Sequence, residues 1–505
     1  MSRQSLAIDR QSWRRDHWHA GWIVSTVMHT PSPRILLALS LISAGLFGCD
    51  EAPPPPSEVR SRLTEDLGHV LREAAAAGEG TAAAMPGAAS FSVLERALGQ
   101  GDTATSFRLA RDLAARFSGT TTTRHGLVPT DPVEEGFDTD AIIEQLTLTI
   151  FTDANHLGGG VYQVPVELVC ETTDIDEDGT AITSLDPDCV TAYGNIQPRI
   201  RVEEDGDDLA FAIQLGAGHD EPLIFTLSHT SLAMTVDLDG AEAAIEAVAT
   251  AFGEAAPNAR LEGRFTGRLE ILGTAHARVS LTVDRAIAVA VADAGVDLDG
   301  SDAFRLATGA GQIARTELDG NAATASASLD VKATTLHIPG LDGMDLDLPG
   351  ASLTMTGAAG QPVQLTNIGL GGSTTTLSKN GALGMSIDLN PNDGRSFAAT
   401  ITADEVAGTE TITVTPKLDL RIFTDHAVLG DPAPVYDVTR VQLTGGLRGS
   451  DASDQVEVIG GAFSIATNPA SYGFAATAGQ CVSSTETFDS TSDDYYTQWT
   501  VGICN

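Results

Sequence analysis

The sequence predicts a mainly β protein: antiparallel sheets of long amphipathic strands, arranged as a sandwich or a curved sheet, with a small helical region near the N-terminus. Three observations carry this. Val279, Leu281, Val283, Ile287, Val289 and Val291 all fall at odd positions, and Arg285 alone breaks the row. Ile412, Val414, Leu418, Leu420 and Ile422 repeat the pattern at even positions. Such alternation gives strands with one face buried and the other wet, as in antiparallel sheets. Glycine and asparagine punctuate the chain between these segments, which suits sandwiches or barrels.

The chain begins with a foreign-looking stretch. Residues 1–27 contain Trp13, Trp18 and Trp22, and the only other tryptophan is Trp499. Met28 opens a signal of ordinary length, so residues 1–48 form a signal region whose expected start is Met28. A twin-arginine signal at Arg14-Arg15 fails, because Asp16-His17-Trp18-His19 follows where an apolar run should begin. Arg34 precedes the apolar run Ile35–Leu46, and Gly48-Cys49 closes it. This order of basic residue, apolar run and small-residue cleavage site marks a secretory signal. The run is shorter than the roughly 20 residues that span a bilayer.

Leu46-Phe47-Gly48-Cys49 resembles the lipobox of bacterial lipoproteins. The resemblance covers only this segment and implies that Cys49 is lipidated and becomes the first residue of the mature chain. It also implies residence in the cell envelope of a Gram-negative bacterium, anchored through the lipid, with membrane and leaflet left open.

Residues 49–57 carry Pro53-Pro54-Pro55-Pro56, read as a proline-rich tether in extended polyproline form. Residues 58–118 read as helical. Ser57 is the expected cap, ahead of an apolar stripe of Val59, Leu63, Leu67, Val70 and Leu71. A later helix would place Phe107, Ala110, Leu113, Ala114 and Phe117 on one face. Residues 119–139, with a threonine run, prolines and glycines, read as a linker, and 140–505 as the β-rich region. One helix interrupts it, from Asp239 and Glu242 to Phe252, with Ile245, Val248 and Phe252 on one face. Within this region, residues 146–158 align without gaps to 418–430, each read as a hairpin whose turn is opened by Asp153 or Asp425.

Beyond residue 48 the chain holds 24 basic against 66 acidic residues, a net of −42. Lys332, Lys379 and Lys417 are its only lysines. This charge repels phosphate backbones and excludes nucleic acid as a partner. Apart from Cys49, the cysteines are Cys170, Cys189, Cys481 and Cys504. Four cysteines allow three pairings, and the simplest joins sequence neighbours, Cys170–Cys189 and Cys481–Cys504. A zinc site lacks both a CxxC motif and a nearby histidine pair.

No nucleophile elbow, zinc-protease helix, phosphate loop or dinucleotide fingerprint is present, so a non-catalytic role is expected. Asp174-Ile-Asp176-Glu-Asp178-Gly179-Thr180 resembles the start of calcium loops of the EF-hand and related types. The resemblance implies carboxylates from Asp174, Asp176 and Asp178, a backbone oxygen from Thr180, and Asp186 or Asp188 in place of the missing glutamate, since Leu185 occupies that position. The alternative is an acidic solvated turn. The expected function is a structural or partner-binding domain of the envelope, held at a membrane by its lipid. The alternative is a periplasmic or surface carrier of a lipid or other apolar ligand.

Overall fold

A computed structural model describes residues 53–81, 84 and 148–504, except for 176–180, 216–221, 340–342, 373, 405–407, 430–436, 451–452, 469–472 and 490–493. The signal region, Cys49, residues 85–118 and the linker lie outside the described residues.

The chain enters as one continuous helical rod: α1 (Pro56–Arg62), a π-helical turn (Leu63–Leu67) and α2 (Gly68–Thr81). The expected stripe is the buried one, with Val59, Leu63, Leu67 and Val70 all within the core. The start differs from expectation. Pro54 and Pro56 are buried, Pro56 occupies the first turn, and no side chain caps the helix. Proline suits that position, because its missing N–H would have no helical partner there. The proline run therefore lies against the body from Pro54 onward, where the sequence suggested a free tether.

The sheet begins with β1 (His156–Gly158) and β2 (Val161–Gln163). A disulfide-closed excursion follows: α3 (Val166–Cys170), β3 (Glu171–Ile175), β4 (Ala181–Leu185) and α4 (Pro187–Ile196). Next come β5 (Arg199–Asp205), β6 (Asp208–Gln214), β7 (Leu223–Ser228) and β8 (Ser231–Asp237), then α5 (Ala241–Ala251). Two long strands follow, β9 (Asn258–Gly273) and β10 (His276–Ala292). The middle of the chain is β11 (Phe304–Thr308), β12 (Gly311–Asp319), β13 (Thr324–Val331), β14 (Thr334–Ile338) and β15 (Met344–Leu348), then β16 (Ala351–Ala358), β17 (Val363–Leu370), β18 (Thr375–Lys379), β19 (Ala382–Leu389) and β20 (Ser396–Asp404). The last part is β21 (Thr409–Thr424), α6 (His426–Leu429), β22 (Asp437–Ser450), β23 (Ser453–Asn468), β24 (Phe474–Thr477), β25 (Gln480–Asp489) and β26 (Asp494–Ile503).

Apart from the β3–β4 hairpin, the strands form one antiparallel sheet of 24 strands. Between β10 and β21 it divides into two rows. The first half of β10 pairs with β12 and its second half with β11. One row then runs β12, β13, β16, β17, β20; the other runs β11, β14, β15, β18, β19. Both rejoin on β21. Consecutive members such as β13 and β14, or β15 and β16, are thus halves of one long strand interrupted at its middle. The interruptions line up across the sheet as a crease. Gly350 on it has φ +109°, and a Cβ there would stand 2.9 Å from the Val331 carbonyl oxygen. Gly445 has φ +79°, and a Cβ would fall on the Gly460 carbonyl. Only glycine meets both demands.

The crease corrects the simple alternation. In β10 the register shifts between Val283 and Ala288. Val283 is buried ahead of the shift, but beyond it the buried residues are Ala290 and Ala292, at even positions. A bulge moves every later side chain to the opposite face. Val279, expected inside, is 50% exposed. In β21 the interruption spans Val414 to Leu418, an even separation, so Ile412, Val414, Leu418 and Leu420 are all buried as expected.

Two main clusters form the core. One joins the helical rod (Val59, Leu63, Leu67) to Ile150, Phe151, Tyr162, Ile200, Leu209, Phe211 and Leu227. The other, larger one draws on both sides of the crease, including Ile412, Val414, Leu418, Leu443, Leu447, Val458 and Phe463. Its described members come from strands alone, so the two halves of the sheet pack on each other there. Further along, α2 covers β9, β10 and β12 through Val70 and Ala77 against Ile271, Ala277 and Leu318.

The aligned segments 146–158 and 418–430 do not form related hairpins. Leu148 and Thr149 are helical, whereas Leu418–Thr424 completes β21. Asp425 does fix its turn, accepting the Val428 N–H at 3.2 Å. The helix at 241–251 is present, but none of its residues is buried, and Ile245 and Phe252 stay exposed. Its acids do not close a capping box. Asp239 Oδ1 accepts the Gly263 N–H at 3.1 Å and Glu242 Oε1 accepts the Leu261 N–H at 2.5 Å, tying the helix to β9.

Candidate ligand-binding surface

The second row carries the most distinctive surface. Its strands are short and each centres on one leucine flanked by polar or small residues: Arg305-Leu306-Ala307, Thr335-Leu336-His337, Asp345-Leu346-Asp347 and Thr376-Leu377-Ser378. Alternation sends the leucines to one face and their neighbours to the other. Register then sets the leucines side by side. Leu261 stands opposite Val289, Val289 opposite Leu306, Leu306 opposite Leu336, Leu336 opposite Leu346, Leu346 opposite Leu377, and Leu377 opposite Met385. Six spacings of about 4.8 Å make this aliphatic ladder roughly 29 Å long. Leu261 is buried, but Val289, Leu306, Leu336, Leu346 and Leu377 are only half-buried and belong to none of the core clusters among the described residues. Towards the crease its border turns polar, where the Thr334 hydroxyl donates to that of Thr308 at 2.9 Å.

The opposite face of the same strands bounds a cavity of about 480 Å³ whose lining is more apolar than polar and includes Val289, Leu306, Leu336 and Leu346. Ala288, Ala290 and Ala307 leave room at its floor, and the loop 293–303 stands at its side. Four contacts pin that loop. Asn258 donates to the Val296 carbonyl at 2.8 Å, Arg260 meets Asp299 at 3.4 Å, and Arg305 donates to the Gly300 carbonyl at 2.5 Å. His337, 7% exposed, places Nε2 3.0 Å from the Ser301 carbonyl and Nδ1 2.7 Å from the Asp345 carboxylate. Arg260, Arg305 and His337 thus hold the loop, and Asp347 also lines the cavity.

Both disulfides join sequence neighbours, with Cα–Cα distances of 5.4 Å for Cys170–Cys189 and 4.9 Å for Cys481–Cys504. The first closes the excursion that holds the candidate calcium residues. Asp174 lies in β3 opposite Ile182, while Asp176, Asp178 and Thr180 lie outside the described residues. Asp186 caps α4, its Oδ1 accepting the N–H groups of Asp188 at 2.9 Å and Cys189 at 3.3 Å. It sits at the base of the β3–β4 hairpin, four residues past Ile182, or roughly 14 Å along the strand. Among the described residues no three His, Cys, Asp or Glu side chains converge to hold a metal.

Sequence reasoning did not find the ladder. β15 alone alternates strictly, as Met-Asp-Leu-Asp-Leu, and the rungs on different strands are joined only by register. Tyr162, on β2, belongs to the core cluster that holds the helical rod. It is fully buried, its hydroxyl has no hydrogen-bond partner among the described residues, and burial pushes its pKa up to about 12.

No protein-family model, curated protein or solved structure matches the chain. No described helix is long and apolar enough to cross a membrane.

Proposed function

We propose that this chain is a non-catalytic, lipid-anchored protein of a bacterial envelope that carries an acyl chain along the ladder from Leu261 to Met385. The anchoring half of the reading rests on the Arg34–Cys49 layout. The carrier half rests on one observation: a continuous row of half-buried aliphatic side chains outside the described core clusters. Exposed apolar surface of this continuity marks a binding site. A bilayer's hydrocarbon core is about 30 Å for two leaflets, so one lipid chain reaches about 15 Å and fits within the ladder. Ile338, Met344 and Leu348 share the ladder's face by alternation and extend its apolar surface to either side. The formal charge of −39 disfavours anionic ligands, so the preferred lipid is neutral or zwitterionic.

The test is native mass spectrometry of delipidated protein carrying Cys49→Ala, offered a monoacylglycerol. One lipid should be retained per chain. Leu336→Glu with Leu346→Glu should abolish retention, while Thr335→Glu, on the opposite face, should leave it. Absence of an adduct in the parent, or an adduct that survives the paired substitution in a folded protein, overturns the carrier reading.

A further inference from the structure

The two ends of the sheet are built differently. At one end β1 has three residues, too short to template a partner. At the other end β26 has ten, and among the described residues it pairs only with β25. The long strands β9, β10, β21, β22 and β23 all contain register shifts. The β25–β26 ladder runs through ten residue pairs, Gln480–Ile503 to Asp489–Asp494, without one. Natural edges are blunted by lysine, proline, bulges or inward charges. Asp-Tyr-Tyr-Thr-Gln-Trp-Thr-Val-Gly-Ile has no lysine or proline, and its one charge is Asp494, at the start.

The strand is also firmly held. Cys481–Cys504 ties its end to the start of β25. Trp499 and Val501 pack on the large core cluster, so this edge continues directly from the core. Ile503 is 87% exposed, the most exposed large apolar residue among those described.

We propose that β26 pairs antiparallel with β26 of a second copy of the chain, continuing the sheet across a two-fold axis. A second copy fits this edge better than another occupant for two reasons. An isologous contact needs only one surface used twice. It also needs that surface to lack like charges, in a chain whose overall charge would otherwise keep copies apart. When the two strands pair about Gln498, Asp494 lies opposite Gly502 of the partner and Gln498 lies opposite its own copy. The two Asp494 positions are then eight residues, or about 27 Å, apart. That exceeds the Debye length of about 8 Å at physiological ionic strength, so they do not repel appreciably. The remaining acidic surface predicts that salt strengthens the dimer, by screening repulsion between the bodies. This inference is independent of the carrier reading.

The experiment is sedimentation velocity of the full chain carrying Cys49→Ala, over a micromolar to sub-millimolar series at low and high salt. The parent should show a monomer–dimer equilibrium that shifts towards dimer in high salt. Gln498→Glu with Thr500→Glu, both exposed positions, should leave it monomeric. Geometry is read separately by oxidation. Gln498→Cys, beside the axis, should give a disulfide-linked dimer, whereas Asp494→Cys should not. A parent that is monomeric throughout overturns the proposal. So does a dimer that persists in the glutamate pair, or one that cross-links through residue 494 and not through 498.

Discussion

Arg440 grips Asp419 with both ends of its guanidinium, Nε on Oδ1 at 2.7 Å and Nη2 on Oδ2 at 2.6 Å, although Asp419 is only 1% exposed. The pair joins β22 to β21 close to the crease. Asn390 completes it, taking the Asp419 N–H on Oδ1 at 2.6 Å and giving its own N–H to the Asp419 carbonyl at 2.7 Å. A buried carboxylate left without its partner costs several kcal/mol. Arg440→Gln leaves Asp419 only the longer contact from Arg421 at 3.5 Å and should lower stability by about 3 kcal/mol. Adding Asp419→Asn should recover part of it, because no charge then remains buried. Urea unfolding of the single and double variants decides this; a double variant no more stable than Arg440→Gln would contradict it.

Acid should act through the same chemistry. Arg440 beside Asp419 holds its carboxyl below the usual range. The Arg315 hydrogen bond, with help from Arg278 and His276, lowers Glu317 from 4.5 to about 2. A carboxyl whose folded pKa is depressed contributes stability above its unfolded pKa and loses it as pH falls through the folded value. For Glu317 that window runs from 4.5 down to about 2. The urea midpoint should fall across it, and Glu317→Gln should flatten this acid limb. A midpoint that rises as pH falls through the window would contradict the assignment.

Tyr162 makes the opposite kind of prediction. Its hydroxyl is buried without a partner among the described residues, and its ring packs edge-on against Phe151 at 5.1 Å. Tyr162→Phe keeps the ring and removes the unsatisfied group, so stability should hold or rise by about 1 kcal/mol. A loss of similar size would mean that the hydroxyl has a partner in the folded protein. In the parent, ultraviolet titration should show this tyrosine ionising only near pH 12.

The anchor has its own measurement. Cys49→Ala should release the protein from the membrane fraction and remove the acyl mass from its N-terminus. Persistent membrane association, together with an unacylated N-terminus in the parent, would contradict anchoring at Cys49.

Much of the fold is legible in the sequence, for identifiable reasons. The stripe Val59, Leu63, Leu67, Val70 is a local pattern, and it is the buried face of the rod. The cysteine neighbours pair as their spacing suggests. The β10 stripe shows where local reading stops. Ala290 and Ala292 replace the expected valines inside because a register shift between Val283 and Ala288 reverses the strand's faces. A shift of that kind is a property of two strands, not one. The likeness of 146–158 to 418–430 misled for the same reason, since one segment starts as a helical turn and the other ends a 16-residue strand. The ladder was out of reach altogether: Leu261 and Met385 are joined through five intervening strands, and nothing local announces it.

The central claim, that the ladder holds an acyl chain, is tested most directly by light-activated cross-linking with a diazirine-bearing monoacylglycerol, followed by peptide mapping. The label should fall on peptides containing Leu306, Leu336, Leu346 and Leu377, and unlabelled monoacylglycerol should compete it away. Label confined to other surfaces, such as the exposed Ile245 and Phe252 of α5, or label that does not compete, would contradict the account.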